Sequence, residues 1–402
     1  MKIVGLIAEY NPFHSGHQYH MEKAREITGA DAVIVVMSGN FVQRGAPAIM
    51  PKHIRAKAAL KSGASVIIEL PVCYAAGSAE YFAYGAISLL EKLGCVDIVC
   101  FGSECGDIEV LQDLAQMIHD EPEEYKGFLN DYLKRGNSFP LARQKAMKDF
   151  LKSDTADSVL GEPNNILGIE YLKALYRLNS KIKPYTIKRV SSHYHDEILQ
   201  EHYSSASAIR KVISEQNEFD WNGQVPDCCV SLYKENYQLR YPVSANDFSI
   251  LLKYKLLQES KESLTEYLDV SKDLANRILN KLNQFISFEQ FCELLKTKET
   301  TYSRISRALI HILLDIKASD MKEIEYARIL GFHTEASDVL SLIKKKARIP
   351  LVTKLTTVEN LSLSAKKMLE QDVYAANLYE SVIADKFQTA FKNELEQQIV
   401  RI

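Results

Sequence analysis

The chain is short of cysteine, has no long apolar run, carries no excess of positive charge and contains no internal repeat. Its 402 residues include seven cysteines: Cys73, Cys95, Cys100, Cys105, Cys228, Cys229 and Cys292. An odd count with no C-x-x-C pair argues against a disulfide framework or a zinc knuckle and for reduced thiols. No segment reaches the roughly 18–20 apolar residues that a membrane helix needs. The first residues run straight into a strand-like segment without a basic leader, so a signal peptide is not expected and the expected location is the cytoplasm. Lys and Arg number 49 against 52 Asp and Glu, for a net charge of −3. That balance excludes a global field that would draw the molecule onto nucleic acid or anionic lipid; any such binding requires a local patch. The hydrophobic fraction is 46% and the charged fraction 25%, which excludes a disordered chain. The length suits two or three domains.

What is present begins with four short apolar runs: Lys2–Glu9, Asp31–Met37, Ser65–Leu70 and Val96–Phe101. Short, continuously apolar and rich in β-branched residues, they suit strands covered on both faces of a parallel sheet. Helical stretches at about His17–Thr28, Lys52–Ser62 and Ser78–Leu93 alternate with them, closed by Gly29, Gly63 and Gly94. Strand–helix alternation predicts a doubly wound, Rossmann-like α/β domain. Residues from about 107 to 160 turn helical and polar, a helical insert. A helix at Asn165–Asn179, a strand at Pro184–Val190 and a helix at Ala206–Ser214 then resume the α/β pattern, to about residue 216. Residues 217–402 give helical periodicities and almost no strand signal, which predicts a second, all-α domain.

In an open parallel sheet, ligands bind beyond the carboxyl ends of the strands. After the first strand comes Tyr10-Asn11-Pro12-Phe13-His14-Ser15-Gly16-His17. His14 and His17 fall on one face as the helix starts, and Gly16 admits a close approach of backbone to ligand. Free N–H groups at a helix N-terminus suit a phosphate, and two imidazoles there stabilise charge on a transferring phosphoryl group. Ser204-Ser205-Ala206-Ser207-Ala208-Ile209-Arg210 offers hydroxyls and an arginine at a second helix start. Further candidates follow the strands: Gln43 and Arg44 after the second, and Glu9, Glu69 and Glu104 at the ends of the first, third and fourth. Arg44 would hold a carboxylate or the α-phosphate; a carboxylate would position Mg²⁺ or an attacking amine, or serve only as a cap or in an ion pair.

His14-Ser15-Gly16-His17 resembles the HxGH signature of nucleotidyltransferases related to class I aminoacyl-tRNA synthetases, and Ser204–Arg210 resembles their S-S-x-x-I-R segment. Gly5–His17, Met37–Ala48, Ile68–Pro71, Phe101–Glu104 and Pro163–Tyr171 are similar to the bacterial tRNA(Met) cytidine acetate ligase family over essentially the whole chain. Ser15 stands where that family often carries Asn, at the variable position of the signature. The resemblance implies an enzyme that converts acetate and ATP to acetyl-adenylate and acetylates N4 of the wobble cytidine of elongator tRNA(Met). It implies ATP, with Mg²⁺, as ligand and tRNA and acetate as partners. The implied catalytic groups are His14, His17, Arg44 and Arg210. The implied ATP contacts are Ile7, Ala8, Glu9, Tyr10, Asn11, Pro12, Phe13, His14, Ser15, Gly16, His17, Gln18, Tyr19 and His20, then Gly102, Asn165, Lys188, Arg189, Ser205 and Ser207.

Basic residues gather in the second half. Leu294–Lys317 holds five basic and two acidic side chains, with Arg304, Arg307 and His311 at helical spacing, and Ser341–Lys354 holds five basic and no acidic ones. Arg304, Arg307, Lys344, Lys345 and Lys346 are therefore the expected tRNA contacts, a local stripe on an acidic chain; solvated helix faces explain them equally well. Two other functions remain open on sequence: another adenylyltransferase of this fold acting on a small carboxylate or phosphate, and a non-catalytic ATP-sensing RNA-binding protein.

Overall fold

The computed structural model describes residues 1–152, 159–189, 204–215, 219–356 and 358–402. The end of the expected strand at Val190 and the expected boundary at residue 216 lie outside them. In chain order the strands are β1 (Ile3–Ala8), β2 (Ala32–Ser38), the hairpin strands β3 (Phe41–Val42) and β4 (Ala46–Pro47), β5 (Val66–Leu70), β6 (Ile98–Ser103), β7 (Lys183–Lys188), β8 (Ala327–Phe332), β9 (Leu351–Val352) and β10 (Val400–Arg401). The main sheet runs β10-β8-β5-β2-β1-β6-β7, with β9 also on β8. Strands β5, β2, β1, β6 and β7 are parallel, and β8 lies antiparallel to β5. The α/β prediction therefore holds.

Helices α1 (Ser15–Thr28), α2 (Lys52–Lys61), α3 (Val72–Ala75) and α4 (Ala79–Lys92) fill the early crossovers. The expected stops at Gly29, Gly63 and Gly94 all have positive φ. Alternation along the strands sorts the core into two layers. Ile34, Val36, Val66 and Ile68 face a layer that includes α4 and the Pro163–Arg177 helix. Val33, Val35, Met37 and Ile67 face one built on α1, α2 and the Asp227–Asn236 helix. Each such side chain contributes roughly 1.5–3 kcal/mol through burial. Three helices, Ile108–Asp120, Glu123–Lys134 and Phe139–Leu151, occupy the region expected to be inserted.

The expectation of a purely helical 217–402 is corrected: β8, β9 and β10 lie there and extend the main sheet. β8 gives little strand signal because its sequence, Ala327–Phe332, is interrupted by a charge, Arg328, and by Gly331. Only the tertiary partners make that charge tolerable. Lys52 Nζ lies 2.7 Å from Glu69 Oε1 and 2.9 Å from Glu394 Oε1, and Arg328 Nη1 lies 2.9 Å from Glu69 Oε2 and also pairs with Glu394. All four residues are buried, and the cluster is neutral. Burial opposes ionisation of Glu394, but Lys52, His53 and Arg328 outweigh it and hold the carboxyl below the usual range.

Removing one member strands an uncompensated charge in the core. Arg328→Met is expected to destabilise the fold by about 3–5 kcal/mol, read as a shift in the urea unfolding midpoint, with Arg328→Met/Glu394→Leu recovering part of it. A cost of under about 1 kcal/mol for the single variant would contradict a structural role for the cluster.

Candidate active site

The crevice opens where β1 and β2 end. Tyr10, in the left-handed region at φ 49, turns the chain away from β1, and its hydroxyl is buried without a partner among the described residues. Arg55, from α2, is completely buried beneath this turn. Its guanidinium donates to the carbonyls of Glu9, Ser38, Gly39 and Met50, so carbonyls left unpaired at the strand ends are satisfied by a cation. Burial lowers the Arg55 pKa to about 10, which leaves it charged at neutral pH. The turn is pinned further along: Ile49 N donates to Asn11 Oδ1, Arg210 Nη1 to the Asn11 carbonyl (2.7 Å), and Tyr233 Oη to the Phe13 carbonyl.

His14 and His17 cap α1 reciprocally. Gly16 N donates to His14 Nδ1 at 3.0 Å, and His14 N donates to His17 Nδ1 at 3.3 Å. Both Nδ1 atoms act as acceptors, which places the proton of each neutral ring on Nε2 and leaves that N–H for a ligand. The ring centroids are 3.8 Å apart. Burial first, then Arg189 and Arg210, lowers His14 to about 3. Burial and Arg189 lower His20 to about 4. Burial, His14, Arg189 and His20 hold His17 well below the ordinary imidazole value. All three are neutral hydrogen-bond donors at pH 7. Gly16 is required because a Cβ there would sit 2.9 Å from His14 Cε1.

These groups border a cavity of about 860 Å³. Ile7, Ala8, Glu9, Tyr10, Asn11, His14, Gly16, His17, Tyr19, His20, Gly102, Lys188, Arg189, Ser205 and Ser207 line it, as do Arg44 and Arg210. Ser205 Oγ caps the Ala206–Glu215 helix by accepting from Ala208 N, and Arg210 Nη2 donates to Ser207 Oγ. A Cβ at Gly102 would press on Arg189 Cγ at 3.3 Å.

Pro12, Phe13, Ser15, Gln18 and Asn165 do not line the cavity. Asn165 is buried, with its Oδ1 accepting from Glu104 N and Cys105 N and its Nδ2 donating to the Val159 carbonyl. It holds the loop after β6, and its neighbour Asn164 lines the cavity instead. The three acids separate cleanly. Glu69 belongs to the buried ion cluster, and Glu104 accepts from Asn164 and Asn165 at the start of the Pro163–Arg177 helix. Glu9 alone of the three lines the cavity, with Oε1 accepting from Gln43 N.

The expected basic stripe is split and partly relocated. His311 is buried, with Nδ1 2.9 Å from the Leu268 carbonyl and Nε2 3.0 Å from the Ala76 carbonyl, one of which takes its single N–H. Arg307 pairs with Asp269 at 3.0 Å and lines the cavity beside Ser303. The Tyr302–Leu313 helix is locked to the hairpin that carries Gln43 and Arg44: Ser306 Oγ donates to the Gly45 carbonyl at 2.6 Å, and a Cβ on Gly45 would run into the Ser306–Arg307 backbone. Arg304 is exposed nearby. Lys344, Lys345 and Lys346 are exposed at the opposite end of the sheet, where the Lys346 backbone packs on Gly94 ahead of β6. The apolar wall formed by Phe82, Phe101, Leu167 and Tyr171 carried no signal of its own, because its spacing is that of ordinary core positions.

An open α/β sheet with paired histidines at the first helix start and a serine–arginine helix start opposite defines a nucleotidyl transferase. The model of the family described as HIGH Nucleotidyl Transferase matches residues 1–394. The chain is 42% identical to the tRNA(Met) cytidine acetate ligase of Acetivibrio thermocellus, covering 94% of each, and 40% identical to that of Clostridium perfringens, covering 94% of this chain and 95% of the other. Thermotoga maritima TmcAL superposes with a TM-score of 0.93 in its apo form and 0.92 when bound with alpha-thio ATP, at 33% identity over 100% of both chains. The chain belongs to the tRNA(Met) cytidine acetate ligase family.

Depressed histidine pKa values make stability depend on pH. The unfolded chain binds protons below about 6.5 that buried His20 refuses until about 4. Stability is therefore full above pH 6.5 and falls as pH drops toward 4. The urea midpoint is expected to follow that slope, and His20→Gln is expected to flatten it. Gly16→Ala is expected to displace the His14 ring and to lower adenylate formation at least about ten-fold; a variant with undiminished ATP turnover would show that His14 has no part in it.

Proposed function

We propose that this chain joins acetate to N4 of the wobble cytidine of elongator tRNA(Met), through acetyl-adenylate. The observation that carries the reading is the reciprocal His14/His17 cap, which presents two neutral Nε2–H donors to a cavity at the sheet's carboxyl edge.

The triphosphate lies between these imidazoles and the Ser204–Arg210 helix start. Ser205, Ser207 and Arg210 contact phosphate oxygens, Gly102, Lys188 and Arg189 flank the nucleotide, and Ile7 to His20 form the floor. Pro12, Phe13, Ser15 and Gln18 position that floor, and Asn165 positions the loop after β6 beside the nucleotide. An acetate oxygen attacks the α-phosphorus, the Pα–O–Pβ bond breaks, and pyrophosphate leaves. His14, His17 and Arg210 stabilise the charge that spreads over the phosphoryl oxygens, and Arg44 holds the acetate carboxylate. The cytosine N4 then attacks the acetyl carbonyl carbon, the bond to AMP breaks, and the amine loses a proton. Cytosine N4 is a weak nucleophile, so the mixed anhydride supplies the driving force and positioning supplies much of the rate.

Among the described residues no group of three or more His, Cys, Asp or Glu forms a metal site. Glu9 is the cavity carboxylate that would hold Mg²⁺ arriving with ATP. When bound, the ion supplies counter-charge to the phosphates. Arg304, Arg307, Lys344, Lys345 and Lys346 serve tRNA, residues 1–216 carry the ATP-binding catalytic part and 217–402 contribute to tRNA binding. The reaction takes place in the cytoplasm, and no helix among the described residues is long and apolar enough to cross a membrane.

The test is to incubate the protein with ATP, labelled acetate and bulk tRNA, then digest to nucleosides. Labelled N4-acetylcytidine is expected, and His17→Ala is expected to abolish it while tRNA binding persists. ATP cleavage without acetylcytidine would favour a different adenylyltransferase, and no ATP turnover at all would sink the enzymatic reading.

A further inference from the structure

A second cavity, of about 890 Å³, opens at the amino edge of the sheet, at the far ends of the strands from the ATP cavity. It is lined by Lys2, Lys181, Lys183, Lys346 and Arg348, against which stand, among the described residues, only Glu91 and Asp97. Both acids are occupied: Glu91 accepts from Ser180 and Arg348, and Asp97 from Ile3 N. Lys181, Lys183 and Lys346 are exposed, and none of their side chains is paired with a carboxylate among the described residues. On a chain of net charge −3, a groove of net +3 is a local positive field.

The groove and the ATP cavity are joined by one element. β7 is the last strand in the sheet order, and its first half, Lys183 and Tyr185, lines the basic groove. Its last half, Ile187 and Lys188, and the following Arg189 line the ATP cavity. Six residues of strand span about 17 Å. Lys183 and Tyr185, 37% exposed, share one face of β7 and Lys188 takes the other, while Lys181 and Arg189 flank the strand, so the cations run along the sheet edge from groove to cavity.

We infer that the β7 edge, from the basic groove to the ATP cavity, is a binding track for an RNA backbone, with Tyr185 as a stacking platform for an unpaired base. This rests on the reading of the chain as a tRNA-acetylating enzyme and adds the surface that seats the tRNA. The shared chemistry is phosphate recognition by lysine. RNA is favoured over a small phosphate because the cations are strung out over the length of a strand rather than converging on a point, and because the path ends where the reacting base must arrive. An exposed aromatic among lysines suits single-stranded RNA, whose bases stack irrespective of sequence.

The test compares Lys181→Glu/Lys183→Glu, Tyr185→Ala and Lys346→Glu with Lys261→Glu and Lys261→Glu/Lys272→Glu, which match the single and double charge changes on exposed helical residues elsewhere. Acetate-dependent ATP–pyrophosphate exchange, which needs no RNA, reports that each variant is folded. In filter binding to tRNA, the double lysine variant is expected to bind at least ten-fold more weakly at 0.1 M salt, with a slope of log K on log salt shallower by about 1.5. Tyr185→Ala is expected to lose about ten-fold, with acetylation showing a raised KM for tRNA. Lys346→Glu carries the test should the strand variants lose exchange. Millimolar inorganic phosphate is expected not to compete; competition at that level would assign the groove to a small anion and overturn the track. Wild-type affinity and salt slope in all three variants would overturn it as well. A wild-type protein that binds tRNA through these residues yet leaves it unacetylated would instead overturn the proposed function alone.

Discussion

The site depends on one buried cation. A parallel sheet opens a crevice where neighbouring strands part, and parting strands leave carbonyl groups without ladder partners. Arg55 answers that need at the ends of β1 and β2, donating to four carbonyls at once. Its planar fork of donors suits several fixed acceptors, which a lysine could not serve together. With Glu9 and Gly39 held apart by the same guanidinium, the chain leaves β1 through the left-handed Tyr10 and returns as α1 with the two histidines at its start.

From that anchor the electrostatics of the site follow. Arg189 and Arg210 supply permanent charge, while His14, His17 and His20 stay neutral because they are buried beside those arginines and one another. A neutral imidazole with Nδ1 engaged as a helix cap is a donor of fixed direction. It binds a phosphate oxygen without the desolvation cost of a further buried charge. The capping role and the ligand role occupy different nitrogens, so α1 is stabilised by the same residues that face the cavity.

The remainder of the chain shapes this site more closely than its position in sequence suggests. The Tyr302–Leu313 helix contributes Ser303 and Arg307 to the cavity and supports the hairpin that carries Arg44. Strand β8 and Glu394 complete the buried ion cluster around Lys52, on the same helix as Arg55. The second half therefore braces the catalytic edge of the first through both apolar packing and ion pairing.

Much of this was legible in the residues themselves. Largely apolar runs marked β1, β2, β5 and β6, because strands covered on both faces bury most of their side chains. The HxGH pattern after the first strand located His14, Gly16 and His17, since local chemistry at a helix start needs those residue types at that spacing. β8 was hidden because Arg328 looks like a surface charge until Glu69 and Glu394, far away in sequence, neutralise it. Asn165 and Glu104 looked like ligands because a polar side chain at a strand or helix end has two uses, binding or capping, and only the neighbours decide which. Basic residues in 294–317 and 341–354 looked like one stripe, but periodicity says which side of its own helix a residue occupies and nothing about where that helix lies. Sequence alone therefore determined the α/β half and the histidine-capped helix start after its first strand, which rest on contacts within a few residues. The division of the basic residues between two ends of the sheet, the use of Arg307 in the cavity and the sheet's final strands were decided by tertiary structure, because they depend on long-range pairing that no local pattern encodes.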